Sequence, residues 1–194
     1  MSTLIYLHGF NSSPQSHKAT VLGRFLADHG LGDSYCCPAL PPRADQAIAI
    51  IEGEIARRTG PGLLPLTFVG SSLGGFYATW LAEKYDARAV LINPAITPHV
   101  GLSKYLGVQQ NLYTGEQYQL TEAHVPEWER LWCPSITPSR YLLMVETGDE
   151  VLDYREAVAR YAGAEQIVVQ GGDHMFQSFP EHIARLLEFA SLAV

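Results

Sequence analysis

Phe68-Val69-Gly70-Ser71-Ser72-Leu73-Gly74-Gly75 is an apolar run that breaks into a glycine-flanked serine and opens the amphipathic stretch Phe76-Tyr77-Ala78-Thr79-Trp80-Leu81. It reads as strand, sharp turn, helix. A G-x-S-x-G nucleophile elbow needs that context: the serine occupies strained backbone with its hydroxyl exposed, and the two glycines let strand and helix approach closely. Only Ser72 has glycine at the required spacing on both sides, Gly70 and Gly74. Centring the pattern on Ser71 would place Val69 and Leu73 there, where side chains would collide, so Ser71 reads as a neighbour of the nucleophile. Taken alone, the five-residue pattern also describes a tight strand-to-helix turn without chemistry.

Outward from the elbow, strand-like and helix-like stretches alternate. Leu4-Ile5-Tyr6-Leu7 is a short apolar run ending in His8-Gly9-Phe10-Asn11, after which Ser12-Ser13-Pro14 reads as a helix start. Val21, Leu22, Phe25 and Leu26 recur at helical spacing until Gly30. Tyr35-Cys36-Cys37 is a weaker strand candidate, and Ala47, Ile48, Ile51 and Ile55 mark a helix ending near Gly60, before the elbow strand from Leu64 to Val69. Beyond the elbow helix, Ala89-Val90-Leu91-Ile92 is apolar throughout, as expected of a strand covered on both faces. Tyr141 to Val145, a helix from about Tyr154 to Tyr161, the strand Gln166 to Val169 and a last helix from about Pro180 to Ser191 complete the rhythm. Six strands alternating with helices predict an α/β fold, one three-layer α/β/α domain over residues 1–194 with a mainly parallel sheet. The reactive loops should then collect at the carboxyl ends of the strands.

The regular alternation lapses between Ala95 and Pro138, with short helices expected around Leu102 to Leu106 and His124 to Trp132. An interruption this long is more often a functional insertion than a passive loop. Its tyrosines and tryptophans are expected to form a small cap walling the site, with Trp128 and Trp132 contacting substrate alongside Asn11 and Ser71; the competing expectation is ordinary packing against the sheet.

A serine hydroxyl becomes a nucleophile when a base removes its proton and a carboxylate orients that base. His174, in Gly171-Gly172-Asp173-His174, follows the last strand, and Asp149, in Thr147-Gly148-Asp149-Glu150-Val151, follows the preceding one. The chain order serine, acid, histidine is that of an α/β-hydrolase. His8 is the rival histidine, though its place beside Gly9 fits a role in shaping the first loop; Glu150 and Asp153 are rival acids, each also explained as a solvated or helix-capping carboxylate. Acyl transfer needs donors for a developing oxyanion. The N–H groups of Leu73, after the nucleophile, and of Phe10, on the first loop, are the candidates. This chemistry requires no cofactor and no metal.

With 47% hydrophobic and 17% charged residues over 194 positions, the chain has the balance of a globular protein rather than a disordered one. A net charge of −7 with only 13 Lys and Arg argues against nucleic acid as a partner. No run reaches membrane-spanning length, and the first residues lack the features of a secretory signal. Cys36, Cys37 and Cys133 form neither a disulfide framework nor a zinc spacing, which points to reduced thiols and a cytoplasmic location.

The stretches Tyr6 to Pro14, Gly70 to Gly75, Thr147 to Tyr154 and Gly172 to His174 together resemble the α/β-hydrolase superfamily, and within it the small bacterial esterases of the YqiA/YcfP type. The resemblance spans nearly the whole chain. It implies esterase or thioesterase activity on a small-molecule substrate, a Ser72, Asp149, His174 triad, and a sheet without the two leading strands of larger relatives, in the order 2-1-3-4-5-6. The acid loop departs from the pattern: Asp149 follows Gly148 directly where many relatives insert residues, which keeps Asp153 open as the acid. A serine peptidase, or an interaction module on a hydrolase scaffold that docks through the aromatic insertion, is the competing reading.

Overall fold

Strand β3 (Leu66–Ser71) is buried at every position, which a strand achieves only at the centre of a sheet covered on both faces. In a computed structural model describing residues 3–59 and 65–192, with the backbone alone for Thr59, Leu102 and Ser103, it pairs in parallel with β1 (Thr3–Leu7) on one side and β4 (Arg88–Ile92) on the other. The two-residue β2 (Tyr35–Cys36) flanks β1. A hairpin, β5 (Gly107–Gln110) and β6 (Gln117–Leu120), stands apart, and β7 (Tyr141–Glu146) and β8 (Glu165–Val169) complete the main sheet in the order β2-β1-β3-β4-β7-β8. Every pairing within that sheet is parallel. With the hairpin left out of the count, the order is the expected 2-1-3-4-5-6.

Period-2 alternation of side chains builds two cores, one on each face. Ile5 and Leu7 of β1 and Leu143 and Val145 of β7 join helices α2 (Ala44–Thr59) and α3 (Leu73–Tyr85). Leu4 and Tyr6, with Leu142 and Met144, face α1 (His17–Asp28) and, after the short α4 (Pro98–Gly101), α5 (Val125–Arg130) and α6 (Tyr154–Arg160), the terminal α7 (Phe179–Phe189). Buried Phe179, Ile183, Leu186 and Leu187 anchor α7, each contributing roughly 1.5–3 kcal/mol of burial. Among the described residues no helix is long and apolar enough to cross a membrane.

Several boundaries differ from the sequence expectation. The helix expected from Pro14 begins at His17, because the Ser13 hydroxyl accepts the Gln15 N–H at 3.0 Å and closes a local turn first. The elbow strand extends to Ser71, while Leu64, Gly60 and the residues at either terminus lie outside the described residues. The expected helix around Leu102 is a single 3₁₀ turn, Leu102–Tyr105. The hairpin β5–β6 falls where the sequence shows no strand pattern: it alternates in exposure as an edge ribbon should, and Asn111 closes its turn by accepting the Tyr113 and Thr114 N–H groups.

Candidate active site

Ser72 has φ 55° and ψ −121°, a backbone conformation that a non-glycine residue adopts only when its surroundings over-determine it. The surroundings are the glycines. A Cβ on Gly74 would lie 1.9 Å from the Leu7 carbonyl oxygen, and one on Gly70 would lie 2.3 Å from that of Gly74. Only glycine at both positions lets α3 start this close to β1 and β3. The strain projects the Ser72 hydroxyl beyond the sheet's carboxyl edge, where the His174 Nε2 lies 3.0 Å away.

The other two groups arrive from adjacent strands. β7 ends in the turn carrying Asp149, and β8 in the loop carrying His174, and the two turns are knit by the Gly148 N–H to the Gly171 carbonyl (2.8 Å) and the Gly171 N–H to the Thr147 hydroxyl (2.9 Å). The Asp149 carboxylate oxygens stand 2.8 and 2.9 Å from His174 Nδ1. Carboxylate oxygens accept only, so Nδ1 carries the proton and Nε2 is left to accept the Ser72 O–H. Burial acts to raise the Asp149 carboxyl, but the His174 hydrogen bond and the N–H groups of Leu152 and Val151 outweigh it and hold the group below the usual carboxylate range. Asp149 is therefore ionised beside the imidazole.

The rival groups are engaged elsewhere. Asp153 caps α6 by accepting the Arg155 N–H at 3.0 Å and pairs with the Arg155 guanidinium. Glu150 accepts the His174 backbone N–H at 3.0 Å, touching the histidine's main chain rather than its ring. His8 is buried, accepts the Leu40 N–H on Nε2 at 3.0 Å and turns Nδ1 to the Gly9 carbonyl, so it ties the first loop to the segment before Pro41. Burial lowers its pKa.

Ser72 opens on a cavity of about 540 Å³. Phe10 and Leu73 line it beside the hydroxyl, and Ile96, Val100, Tyr105 and Leu152 supply apolar wall. Among the described residues, the Phe10 and Leu73 backbone N–H groups donate to no protein acceptor, the state required of oxyanion donors. The four residues expected to contact substrate do not line this cavity. Trp128 is fully buried in the core, its indole N–H donating to the Tyr77 hydroxyl at 2.8 Å; Trp132 lines a separate small cleft with Phe76 and Thr79. Ser71 is buried within β3. Asn11 spends both ends of its amide on the hairpin, donating to Gln109 at 3.0 Å and accepting from Tyr118 at 2.5 Å. Trp128 thus follows the packing alternative, Trp132 is half-exposed away from this cavity, and the aromatic wall in front of Ser72 comes from Tyr105 and Phe10, whose rings stand 5.8 Å apart.

The sequence matches the model of the Uncharacterised protein family (UPF0227) over residues 3–191. It is 26% identical to the UPF0227 protein YcfP of Salmonella paratyphi B over 192 residues, covering 97% of this chain and 99% of that one. Among solved structures, Est1E from Butyrivibrio proteoclasticus superposes with a TM-score of 0.70 at 14% identity, covering 97% of this chain and 86% of that chain. The mouse alpha/beta hydrolase domain-containing protein 10 does so with a TM-score of 0.70 at 16% identity, over 97% and 89%. At these identities the structural likeness establishes the α/β-hydrolase fold.

Proposed function

The chain belongs to the UPF0227 family, and we propose that it is a serine hydrolase that cleaves carboxylic esters, with acyl thioesters as a second substrate class, through Ser72, His174 and Asp149. The observation that carries the reading is the continuous hydrogen-bond line from Ser72 Oγ to His174 Nε2 and from Nδ1 to Asp149, ending at a hydroxyl that faces a cavity. Ser72 Oγ attacks the acyl carbon while Nε2 takes its proton. The N–H groups of Phe10 and Leu73 stabilise the tetrahedral oxyanion, an interaction worth about 2.7–4 kcal/mol per donor in a comparable site. Collapse breaks the bond to the leaving oxygen or sulfur, which receives the proton from His174. Water then attacks the acyl-enzyme, giving its proton to Nε2, and the acid leaves as Ser72 recovers its hydroxyl.

Asp149 remains ionised throughout and stabilises the imidazolium that forms in each half-reaction. The apolar wall suits an apolar acyl or alcohol portion. Reaction with a fluorophosphonate probe tests the class: covalent labelling that disappears in Ser72→Ala supports it, and no labelling of the native protein favours the interaction-module reading. A panel of esters and thioesters of graded chain length then separates the two substrate classes.

A further inference from the structure

The loop bearing His174 is held by its backbone, and side chains from other elements do the holding. Glu146, the last residue of β7, is only 1% exposed and turns its carboxylate into this loop. It accepts the backbone N–H groups of Asp173 (2.9 Å), Gln177 (3.3 Å) and Ser178 (3.1 Å), and the Ser178 hydroxyl (2.6 Å). Asn93, just past β4, grips the opposite polarity: its amide donates to the Asp173 and His174 carbonyls at 3.1 and 3.2 Å, while its oxygen accepts the Glu146 N–H at 3.0 Å. Buried Lys18 of α1 donates to the Met175 carbonyl at 2.6 Å.

A buried carboxylate is costly unless saturated with donors, and here the donors all belong to one six-residue segment. Burial pushes the Glu146 carboxyl up, but the Ser178 hydroxyl and the three N–H groups outweigh it and keep the group ionised. The fit has no slack, since a Cβ on Gly172 would lie 2.0 Å from the Glu146 carboxylate. Phe176, in the same segment, is held at φ 55°, a conformation that persists only when neighbours enforce it.

We propose that Glu146, together with Asn93, is a positioning residue that fixes the His174 imidazole between Ser72 and Asp149; this rests on the serine-hydrolase reading above. Asp149 orients the ring through Nδ1 but makes no hold on the main chain from which the ring hangs. Glu150 takes only the His174 N–H and Lys18 only the Met175 carbonyl, whereas Glu146, at the end of β7, and Asn93, just past β4, grip the segment at five backbone groups and the Ser178 hydroxyl. A displacement of about 1 Å in such a site costs on the order of 10²-fold in rate.

Glu146→Gln keeps the shape but replaces one acceptor oxygen by an amide NH₂ facing donors. The expected result is a kcat about 10²-fold lower with KM little changed, slower fluorophosphonate labelling, and loss or broadening of the downfield proton resonance of the His174 Nδ1–H. Ser178→Ala removes one donor and leaves three, so it should reproduce the same changes in weaker form, and it decides the matter if the glutamine variant does not fold. A folded Glu146→Gln protein with native kcat, native labelling and an unchanged resonance overturns the proposal, as does a loss confined to thermal stability. Native protein that never labels would instead overturn the serine-hydrolase reading, while the resonance would still report whether Glu146 places the ring.

Discussion

The Ser72 hydroxyl and the His174 imidazole, 102 positions apart in the chain, meet at 3.0 Å, while Ser71, covalently next to Ser72, is buried in β3. Ser71 is the last residue of β3, whereas Ser72 turns out of the strand at φ 55°, so the elbow presents Ser72 to the histidine and leaves Ser71 in the core. Ser72→Ala is expected to abolish ester turnover and probe labelling while melting close to the native temperature. Ser71→Ala should retain substantial activity. Full activity in the Ser72 variant with none in the Ser71 variant would reverse the assignment.

The cavity wall predicts where chain-length preference is set. Ile96 and Leu152 line the space in front of Ser72, so Ile96→Trp or Leu152→Trp should lower activity on long acyl esters more than on acetate esters. Trp128→Ala should leave that preference alone and instead cost about 3–5 kcal/mol in denaturant unfolding, because it opens a core cavity and strips the Tyr77 hydroxyl of its donor. An altered preference in Trp128→Ala at native stability would return the tryptophan to the substrate wall.

The elbow and the two loops after β7 and β8 were legible because each depends on local rules: glycine spacing, the apolar run of a buried strand, and the position of a loop at a strand's carboxyl end. The hairpin β5–β6 was not, since Val108, Gln110, Gln117 and Gln119 carry little apolar alternation, and its ties to the first loop run through hydrogen bonds of Asn11 to Gln109 and Tyr118, distant in sequence. Nor was the burial of Trp128, because a tryptophan in an irregular segment reads the same whether it walls a site or fills a core. Glu146 left one signal, a charged residue closing the otherwise apolar run Tyr141 to Val145. Its partners lie in a segment contributed by a different strand, which no local pattern reveals.

Acid should unfold the protein through the same carboxylates. Asp149 and Glu146 are both held below their ordinary values of 3.8 and 4.5, so at low pH the unfolded chain binds protons that the folded one refuses. The stability they supply is complete above about pH 4.5 and is lost as pH falls through the lowered values. Urea unfolding across that range should show a shallower pH slope in Glu146→Gln than in the native protein, and an identical slope would remove Glu146 from the account.

Lys18 works in the opposite sense. Burial lowers it from 10.5 to about 8, against the attraction of Asp173, Glu146 and Asp149. Between those values the unfolded chain holds a proton that the folded chain has released, so this group makes stability rise with pH from about 8 to 10.5. In Lys18→Met that increment should vanish; a persistent rise of the same size would assign it to another group.

The choice between Asp149 and Asp153 as the acid is the sharpest test of the site. Both follow β7, and both have carboxylates held below the usual range, Asp149 by the means described above and Asp153 first by the Arg155 side chain and then by the Arg155 N–H. The Asp149 carboxylate is almost wholly buried and spans both His174 Nδ1 and the N–H groups of Val151 and Leu152, so its orientation is fixed from two sides. Asp153 is exposed, paired with a side chain two residues away, and its capping duty can be performed equally well by asparagine. Asp149→Asn would keep the shape while presenting an NH₂ to Nδ1, which favours the tautomer that cannot accept the Ser72 proton; a fall of about 10⁴ in kcat has precedent for that change in a serine protease. Asp153→Asn should leave kcat within a small factor of native and shift the melting temperature only slightly. Kinetics of the two asparagine variants, each checked for folding by near-UV circular dichroism, decide between them: an inactive but folded Asp153→Asn beside a near-native Asp149→Asn would move the acid to the helix cap.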